Sequence, residues 1–430
     1  MPHTNLFMIN AWLNRRAETL GLVGLYLFAL FAWLGTTPAT LGLVLLTLGW
    51  AFARPNGRAL VHDPVGILAL LFGGFVLGHS LIMAALAPSG TSPQKMLTAG
   101  LDWLKLLLLI PIAHWCAGQP QRVRRLLLLA ALGLTLAVLR KIDWAQFGPE
   151  FFSNRFESYL PAIAFGLVSG LGALGFVALR QAFWAGCGSW WRLCQILWLL
   201  WLAFMLEGLV LSQSRGAWLA FLGGLGALAL STWQASGWNG LGWLRRHPRQ
   251  VLLIGVLVVG GLALQHETFL KRFTKHTDTL VQIARGESVT SDPIGLRFKA
   301  WLFALERWQE RPWFGWGAGS SRTLIAQSGR PQDLFDYDHW LPHLHSTYAE
   351  LLVQFGLVGS ILFGSWLLAL VWAGYRAHQS GRLPPDLGSF YLAALICILI
   401  WCLFNYRAVH VDWLFIWLLL AGSLYGFKST

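Results

Sequence analysis

The chain has 430 residues; 56% are hydrophobic, only 12% are charged, and the formal net charge is +13. Repeated apolar runs of membrane-spanning length exclude an ordinary soluble enzyme and predict an all-α polytopic membrane protein. Basic charge could indicate nucleic-acid binding in a soluble chain, but no nucleic-acid-binding module is recognisable, so we expect no nucleic-acid partner.

The apolar runs predict about twelve spans in a single integral membrane domain covering residues 1–430. No cleavable signal-peptide pattern precedes the first span. The approximate bounds are 18–35, 38–53, 64–87, 101–117, 124–140, 159–180, 191–210, 215–232, 250–265, 347–374, 387–404 and 409–427. Spans two and four are short for a bilayer.

Arginines cluster before the first span and after spans two, four, six, eight and ten. Because cytoplasmic loops carry excess Lys and Arg, this pattern predicts that both termini are cytoplasmic. The large loop at residues 265–344, inserted between spans nine and ten, is then periplasmic. Several periplasmic connections nevertheless carry positive charge, which opposes the rule and invites a functional explanation. The last of them contains Asn405, Arg407, His410 and Asp412.

Three arginines on this face are candidates for binding an anion. Arg215 begins a predicted span directly after Ser214, a natural N-cap, and a helix N-terminus with an Arg fork suits phosphate. Arg155 lies between Phe152 and Phe156, where it could bind sugar or phosphate. The alternative for Arg215 is a side chain extended to lipid headgroups, and for Arg155 it is an interfacial anchor.

Arg297 lies on a helix of the large loop that Asp292 and Pro293 are predicted to start. A helical wheel places Arg297 on the apolar face with Trp301, Ala304, Leu305 and Trp308, so the helix is predicted to be amphipathic. An Arg on such a face requires an anionic partner. This partner is either an anionic ligand or a carboxylate in a structural salt bridge.

The segment from Pro342 to Glu350 ends this loop and opens an apolar helix. Thr347 with Glu350 three residues later predicts a capping box. His345 would lie just outside the helix, whose N-terminal dipole disfavours imidazolium. The segment therefore predicts a neutral His acting as a general base beside an anion.

A metal site is the alternative reading of this region. His343 and His345 point the same way in an extended chain, and Asp336, Asp338 and His339 lie close upstream. The glycine-rich segment from Pro312 to Gly319 favours a tight turn with close backbone approach over a nucleotide loop. The chain has no Walker or dinucleotide fingerprint, so we expect no ATP or NAD cofactor.

The five cysteines form no CxxC motif and none lies in the large loop, which argues against a disulfide or a thiolate metal site. They are Cys116, Cys187, Cys194, Cys397 and Cys402.

In this order, the motifs resemble the O-antigen ligase and polymerase superfamily of bacterial inner-membrane proteins. The matching stretches are 212–217, Gly295 to Arg297 with Trp301, 312–319, 345–348, and Glu350 onward to Gly359. Ser346 departs from the family pattern, in which Asn often follows the His. The resemblance covers residues 210–360 most closely and implies a GT-C-like architecture whose large loop contains short helices.

The resemblance implies a glycosyltransferase with a periplasmic active site that acts without a metal. The donor would be a glycan on undecaprenyl pyrophosphate, and the acceptor would be lipid A–core. In this reading His345 is the base, Arg215 and Arg297 are catalytic, and Arg155, Ser214 and His343 bind substrate. The ligase is the favoured member. A polymerase joining lipid-linked repeats is the alternative, and the chain end soon after span twelve counts against protein-modifying relatives.

A transporter of lipid-linked glycan is the alternative from another class. Such a path should place polar residues near the membrane midplane. Glu207 is the best candidate, but it is predicted to lie toward the periplasmic side with the other polar residues.

Overall fold

The computed structural model describes residues 2–53, 61–86, 92–145, 147–148, 151–152, 154–235, 285, 293–328 and 343–428. Regular structure in these ranges is helical, and we number the helices in chain order. The helices are α1 (Pro2–Phe31), α2 (Thr36–Phe52), α3 (Pro64–Ala85), α4 (Pro93–Cys116), α5 (Pro120–Lys141), α6 (Ala162–Ala178), α7 (Arg180–Ala185), α8 (Trp191–Leu211), α9 (Arg215–Ala235), α10 (Pro293–Glu310), α11 (Ser321–Gln327), α12 (Thr347–Gln379), α13 (Pro385–Phe404) and α14 (Val411–Tyr425).

Five described helices are long and apolar enough to cross a membrane: α3, α4, α8, α12 and α13. The helices α2, α6 and α14 are equally apolar but shorter. The protein is therefore a helical membrane protein, and the twelve-span layout stays a prediction. Span nine at 250–265 and most of the 265–344 loop lie outside the described residues.

The fourth span is longer than predicted. It begins at Pro93 and reaches Cys116, with a 3₁₀ turn at Lys105–Leu108. The prediction began it at residue 101 because Gln94, Lys95 and Thr98 interrupt the apolar run. Pro93 favours a helix start at that point, since a first-turn proline gives up no helical hydrogen bond.

An aromatic cluster joins α3, α4 and α12. Phe72 contacts Trp103, Phe355 and Trp366 with ring centroids 6.1, 6.4 and 5.8 Å apart, respectively. All four side chains are almost fully buried. Offset and edge-to-face pairs of this kind stabilise beyond their buried area, so the cluster fixes the middle of α12 against two neighbouring helices.

Helix α12 is interrupted at Gly356, where φ is 62° and ψ is −163°. The interruption frees backbone groups, and the glycine-rich segment binds them. Trp316 and Gly317 donate to the carbonyls of Val353 and Gln354 at 2.8 and 2.9 Å. Leu357 and Val358 donate to the carbonyls of Pro312 and Trp313 at 2.8 and 3.0 Å. The predicted close backbone approach is confirmed.

One prediction about the cysteines is wrong, because the structure pairs Cys187 with Cys194 in a disulfide. The connection between α7 and α8 turns tightly at Gly188 and brings the two Cα atoms to 6.4 Å, within the range that a disulfide can bridge. A contact made by a short turn is not visible as a sequence motif. The other three cysteines are free and buried.

Candidate active site

The turn between α8 and α9 carries the first candidate residues. Ser214 accepts a hydrogen bond from the amide of Ala217 at 3.4 Å, so it caps α9 as predicted. Gln213 has a left-handed φ of 48°, which is costly for a residue with a Cβ. The Arg155 Nε donates to the carbonyl of Ser212 at 3.2 Å. Two sequence-predicted arginines, Arg155 and Arg215, therefore belong to one turn region.

The helix that follows the histidines starts one residue earlier than the predicted capping box requires. Ser346 is the N-cap, and its hydroxyl accepts from the amide of Ala349 at 3.4 Å. Thr347 instead donates its hydroxyl to the carbonyl of Asn405 at 2.8 Å. The prediction of a Thr347–Glu350 box is thus wrong, because tertiary contact takes the Thr hydroxyl. Ser is as good an N-cap as the Asn that often stands at this position in the family, so Ser346 starts α12 equally well.

Glu350 is a fully buried carboxylate that joins three parts of the site. It accepts from the Ser321 hydroxyl at 2.5 Å, from the Leu344 amide at 2.8 Å, and from the Gln354 amide group at 2.6 Å. Three donors offset the cost of removing a carboxylate from water. Leu344 directly precedes His345, so Glu350 fixes the backbone that carries the histidine.

The two histidines contact each other. Their ring centroids lie 4.5 Å apart, and the amide of His345 donates to Nδ1 of His343 at 3.2 Å. His345 has a left-handed φ of 52°. Among the described residues, only Ala117, Gln213 and His345 adopt positive φ without being glycine. Two of these three strained positions lie in predicted motifs, as expected where function fixes the backbone.

Burial and neighbouring positive charge keep both imidazoles neutral. Burial, assisted by His343 and Arg297, lowers the pKa of His345 to about 3. Burial, assisted by His410, Arg407 and Arg297, lowers the pKa of His343 to about 4. The same cause, burial, lowers the pKa of His410. At neutral pH these rings can accept protons, and Arg297 lies close enough to influence two of them.

Helix α10 brings Arg297 to the site. Its buried stripe consists of Leu296, Ala300, Phe303 and Ala304. Leu305 was predicted to lie on the apolar face but is 48% exposed, whereas Phe303 is buried, so the buried face is rotated by about one residue from the prediction. Trp301 contacts Phe404 with ring centroids 6.4 Å apart. Helix α10 thus rests against the end of α13 near the histidines.

The turn at 404–407, between α13 and α14, is the common floor of the site. A Cβ added to Gly216, the residue after Arg215, would lie 3.4 Å from Nδ2 of Asn405, whose carbonyl also binds Thr347. The Tyr406 ring lies 5.8 Å from that of His343, and its hydroxyl accepts from Gln354 at 3.1 Å. The starts of α9 and α12 therefore meet across this turn.

Arg407 is a cation of the site that the sequence did not assign. Its Nε donates to Asp412 at 2.5 Å, and its charge acts on both His343 and His410. The sequence signal was the polar group Asn405, Arg407, His410 and Asp412 between two apolar spans. A role could not be given without knowing that this turn lies beside the histidines.

Residues 200–364 match the family model for O-antigen ligase. The chain thus carries an O-antigen ligase region, and the resemblance to this superfamily is confirmed. A comparison with curated proteins found no match.

The O-antigen ligase region contains Ser214, Arg215, Arg297, His343 and His345. The elements carrying them meet at the 404–407 turn. Arg155, which the sequence predicted, and Arg407, which only the tertiary structure adds, lie outside the matched residues. The match over residues 200–364 is to a family of the O-antigen ligase or polymerase type, which indicates a glycosyltransferase-like enzyme.

The residues of the metal alternative are not all described. Asp336, Asp338 and His339 lie outside the described residues, as does Asp292, the predicted cap of α10. The metal alternative therefore stays a prediction that a chelator experiment can test.

Proposed function

We propose that the protein transfers an O-antigen glycan from undecaprenyl pyrophosphate to a hydroxyl of lipid A–core at the periplasmic face of the bacterial inner membrane. The observation that carries the proposal is a pair of neutral, touching histidines on a strained turn, with the Arg297 charge acting on both. A base beside fixed cations is the chemistry required for displacing a pyrophosphate leaving group.

The cations serve the donor. Arg215 and Arg297 hold the pyrophosphate, and Arg155 assists from the turn that it shares with Arg215. The N-terminus of α9, capped by Ser214, carries the positive end of the helix dipole, which favours the same anion. As the bond between the anomeric carbon and the phosphate oxygen breaks, negative charge grows on the leaving pyrophosphate. The arginines stabilise that charge more strongly in the transition state than in the bound donor.

His345 serves the acceptor. It removes the proton from a sugar hydroxyl while the hydroxyl oxygen forms the new bond to the anomeric carbon, and undecaprenyl pyrophosphate leaves. This single displacement inverts the anomeric configuration and requires no metal. His343 binds the acceptor next to it, with its Nδ1 already engaged by the His345 amide.

A pKa of about 3 makes His345 a weak base in the empty site. The bound pyrophosphate brings negative charge beside the same cations, and a nearby negative charge favours imidazolium. Donor binding therefore raises the pKa of His345 toward the range where a base is effective. The site is expected to become basic only when the donor is present, which limits deprotonation of water before the donor arrives.

The decisive experiment is glycan transfer by purified protein in detergent, with lipid A–core and undecaprenyl-linked repeats offered as competing acceptors. His345→Ala should reduce transfer by about 10²–10⁴-fold, and Arg215→Ala by about 10²–10³-fold. His62→Ala is the matched control, because His62 is exposed and precedes α3 at the opposite end of that helix from the site. Wild-type activity in both site variants would overturn the site assignment.

The acceptor in the product separates the candidate functions. Extension of the lipid-linked repeat alone would make the protein a polymerase with the same site. No transfer in detergent, but movement of lipid-linked glycan across sealed vesicles, would favour the transporter. Loss of transfer on chelation and recovery with a divalent ion would favour the metal alternative at Asp336 and Asp338.

A further inference from the structure

One described cavity lies away from the candidate site. It is a groove of about 390 Å³ between α5, α6 and α8, with its floor on α13 and α14. This volume falls in the range of small-molecule sites, about 300–1,000 Å³. The lining along most of its length is hydrocarbon, including Leu134, Val168, Phe176 and Trp198.

One end of this groove is basic. Arg124 and Arg125 line that end, together with residues of the α7 region such as Phe183. Arg124 is neutralised, because it donates to both carboxylate oxygens of Asp386 at 2.9 and 2.8 Å. Arg125 is exposed and has no hydrogen-bond or ion-pair partner among the described residues. Among the described lining residues, the groove is therefore an apolar slot with one available cation, Arg125, at its end.

This basic end is far from the candidate active site. Helix α6 begins beside the Ser212 turn, since a Cβ on Gly166 would meet the Ser212 hydroxyl, and its far end reaches Leu179 in the groove. The 17 residues of α6 span about 25 Å at 1.5 Å per residue. That distance is close to the thickness of a bilayer core, so Arg125 lies at the level of the opposite leaflet.

We propose that the groove binds a glycerophospholipid with an anionic headgroup from the leaflet at the Arg125 end. One acyl chain fills the slot between α5 and α6, and the phosphate lies on Arg125. The groove extends from Arg125 to Leu134, nine residues along α5, which is about 14 Å of hydrocarbon depth. This proposal is independent of the enzymatic function, because a donor held at Arg215 and Arg297 has its charge at the other membrane face.

The test measures lipid-dependent thermal stabilisation of the full chain in detergent, with phosphatidylglycerol and phosphatidylcholine as probes. Phosphatidylglycerol should stabilise the wild type at lower concentration than phosphatidylcholine. Arg125→Gln should weaken phosphatidylglycerol binding about fivefold, the effect of removing one cation at an anionic lipid surface. It should leave phosphatidylcholine binding unchanged. Arg15→Gln is the matched control, because Arg15 is exposed and lies outside the groove.

A second variant tests the slot itself. Ala131 lines the groove, and Ala131→Phe should reduce binding of both lipids by filling the space for the acyl chain. If Ala131→Phe also lowers the unfolding temperature in the absence of lipid, the Arg125→Gln variant alone tests whether the groove binds the phospholipid. Equal phosphatidylglycerol binding by wild type and Arg125→Gln would overturn the proposal. So would competitive displacement of the phospholipid by undecaprenyl phosphate, because the groove would then hold a polyprenyl chain.

Discussion

Replacing Glu350 with Gln tests whether the buried carboxylate positions the His345 turn. Gln has the same size but only one acceptor oxygen, whereas Glu350 accepts from Ser321, Leu344 and Gln354 at 2.5, 2.8 and 2.6 Å. At least one donor must then face an NH₂ group. A lost hydrogen bond to a charged group and a buried donor left unsatisfied together cost about 2.5–6 kcal/mol.

The effect on transfer should exceed the effect on folding at moderate temperature. If the donor that loses its acceptor is the Leu344 amide, the residue before His345 moves, and a displacement of about 1 Å near the chemistry can reduce the rate about 10²-fold. The expected result is a lower kcat with a nearly unchanged KM for the donor, because the arginines are not touched. Thermal unfolding and detergent transfer assays measure the two effects separately.

Two control variants define the scale. Glu18→Gln breaks an exposed ion pair with Arg122 at 3.0 Å and should cost at most about 1 kcal/mol. Ser321→Ala removes one donor but leaves the Glu350 carboxylate with two bonds, so its cost should be smaller than that of Glu350→Gln. The positioning role would be refuted if Glu350→Gln unfolded like the wild type and its transfer rate lay within twofold of the wild-type rate.

Four further predictions concern the helix break and the imidazoles. Gly356→Ala should destabilise the protein by more than about 1–3 kcal/mol, because its added Cβ would lie 2.4 Å from the Trp313 carbonyl. Gly364→Ala is the control in the same helix: its Cβ would meet open space, so it should be neutral or stabilising. Equal unfolding temperatures for the two variants would contradict this prediction. His345 must be neutral to act, so kcat/KM, which reports the free enzyme, should stay constant as the pH falls to about 5. The acid limb of kcat should lie at higher pH, because bound pyrophosphate raises the pKa of His345. If the acid limbs of kcat and kcat/KM lay at the same pH, bound pyrophosphate would not be raising the pKa of His345. Arg297→Gln removes a positive charge and should shift the acid limb of kcat/KM upward, besides lowering its plateau; a lower plateau with an unmoved limb would mean that Arg297 does not act on His345. The pKa of His343 is about 4 in the folded protein and near 6.5 in the unfolded chain, so between these values the unfolded chain binds a proton that the folded protein does not. The free energy of unfolding should therefore decrease as the pH falls from about 6.5 to 4. His343→Gln should make this decrease smaller in thermal unfolding measured over a pH series.

Helical class and the motif order could be predicted from the sequence because both are local properties. An apolar run long enough for a bilayer must be helical to satisfy its backbone. Ser214 capping α9 and the close approach of the 312–319 segment were also predicted, since capping depends on the chemistry of a few neighbouring residues and close approach on the lack of side chains in glycine. The sequence likewise indicated His345 and three arginines as a set.

The capping-box prediction failed because long-range contacts replaced a local preference. The hydroxyl of Thr347 could cap a helix, but it binds Asn405, 58 residues away. Glu350 matched a surface capping pattern, yet it lies buried among Ser321, Leu344 and Gln354. The Cys187–Cys194 pair follows from a tight turn that has no sequence signature.

The sequence by itself therefore determined the class of the protein, its family resemblance and the residue types that the proposed transfer reaction needs. Only the tertiary structure decided how they meet. The 404–407 turn lies after every family motif, yet it touches the starts of α9 and α12, the Trp301 side of α10, and His343. Hydrophobic periodicity sets which face of a helix is buried, but the neighbour of that face is set by packing of the whole bundle. That packing places Arg407 beside the histidines and leaves Arg125 at the far end with no ion-pair partner among the described residues.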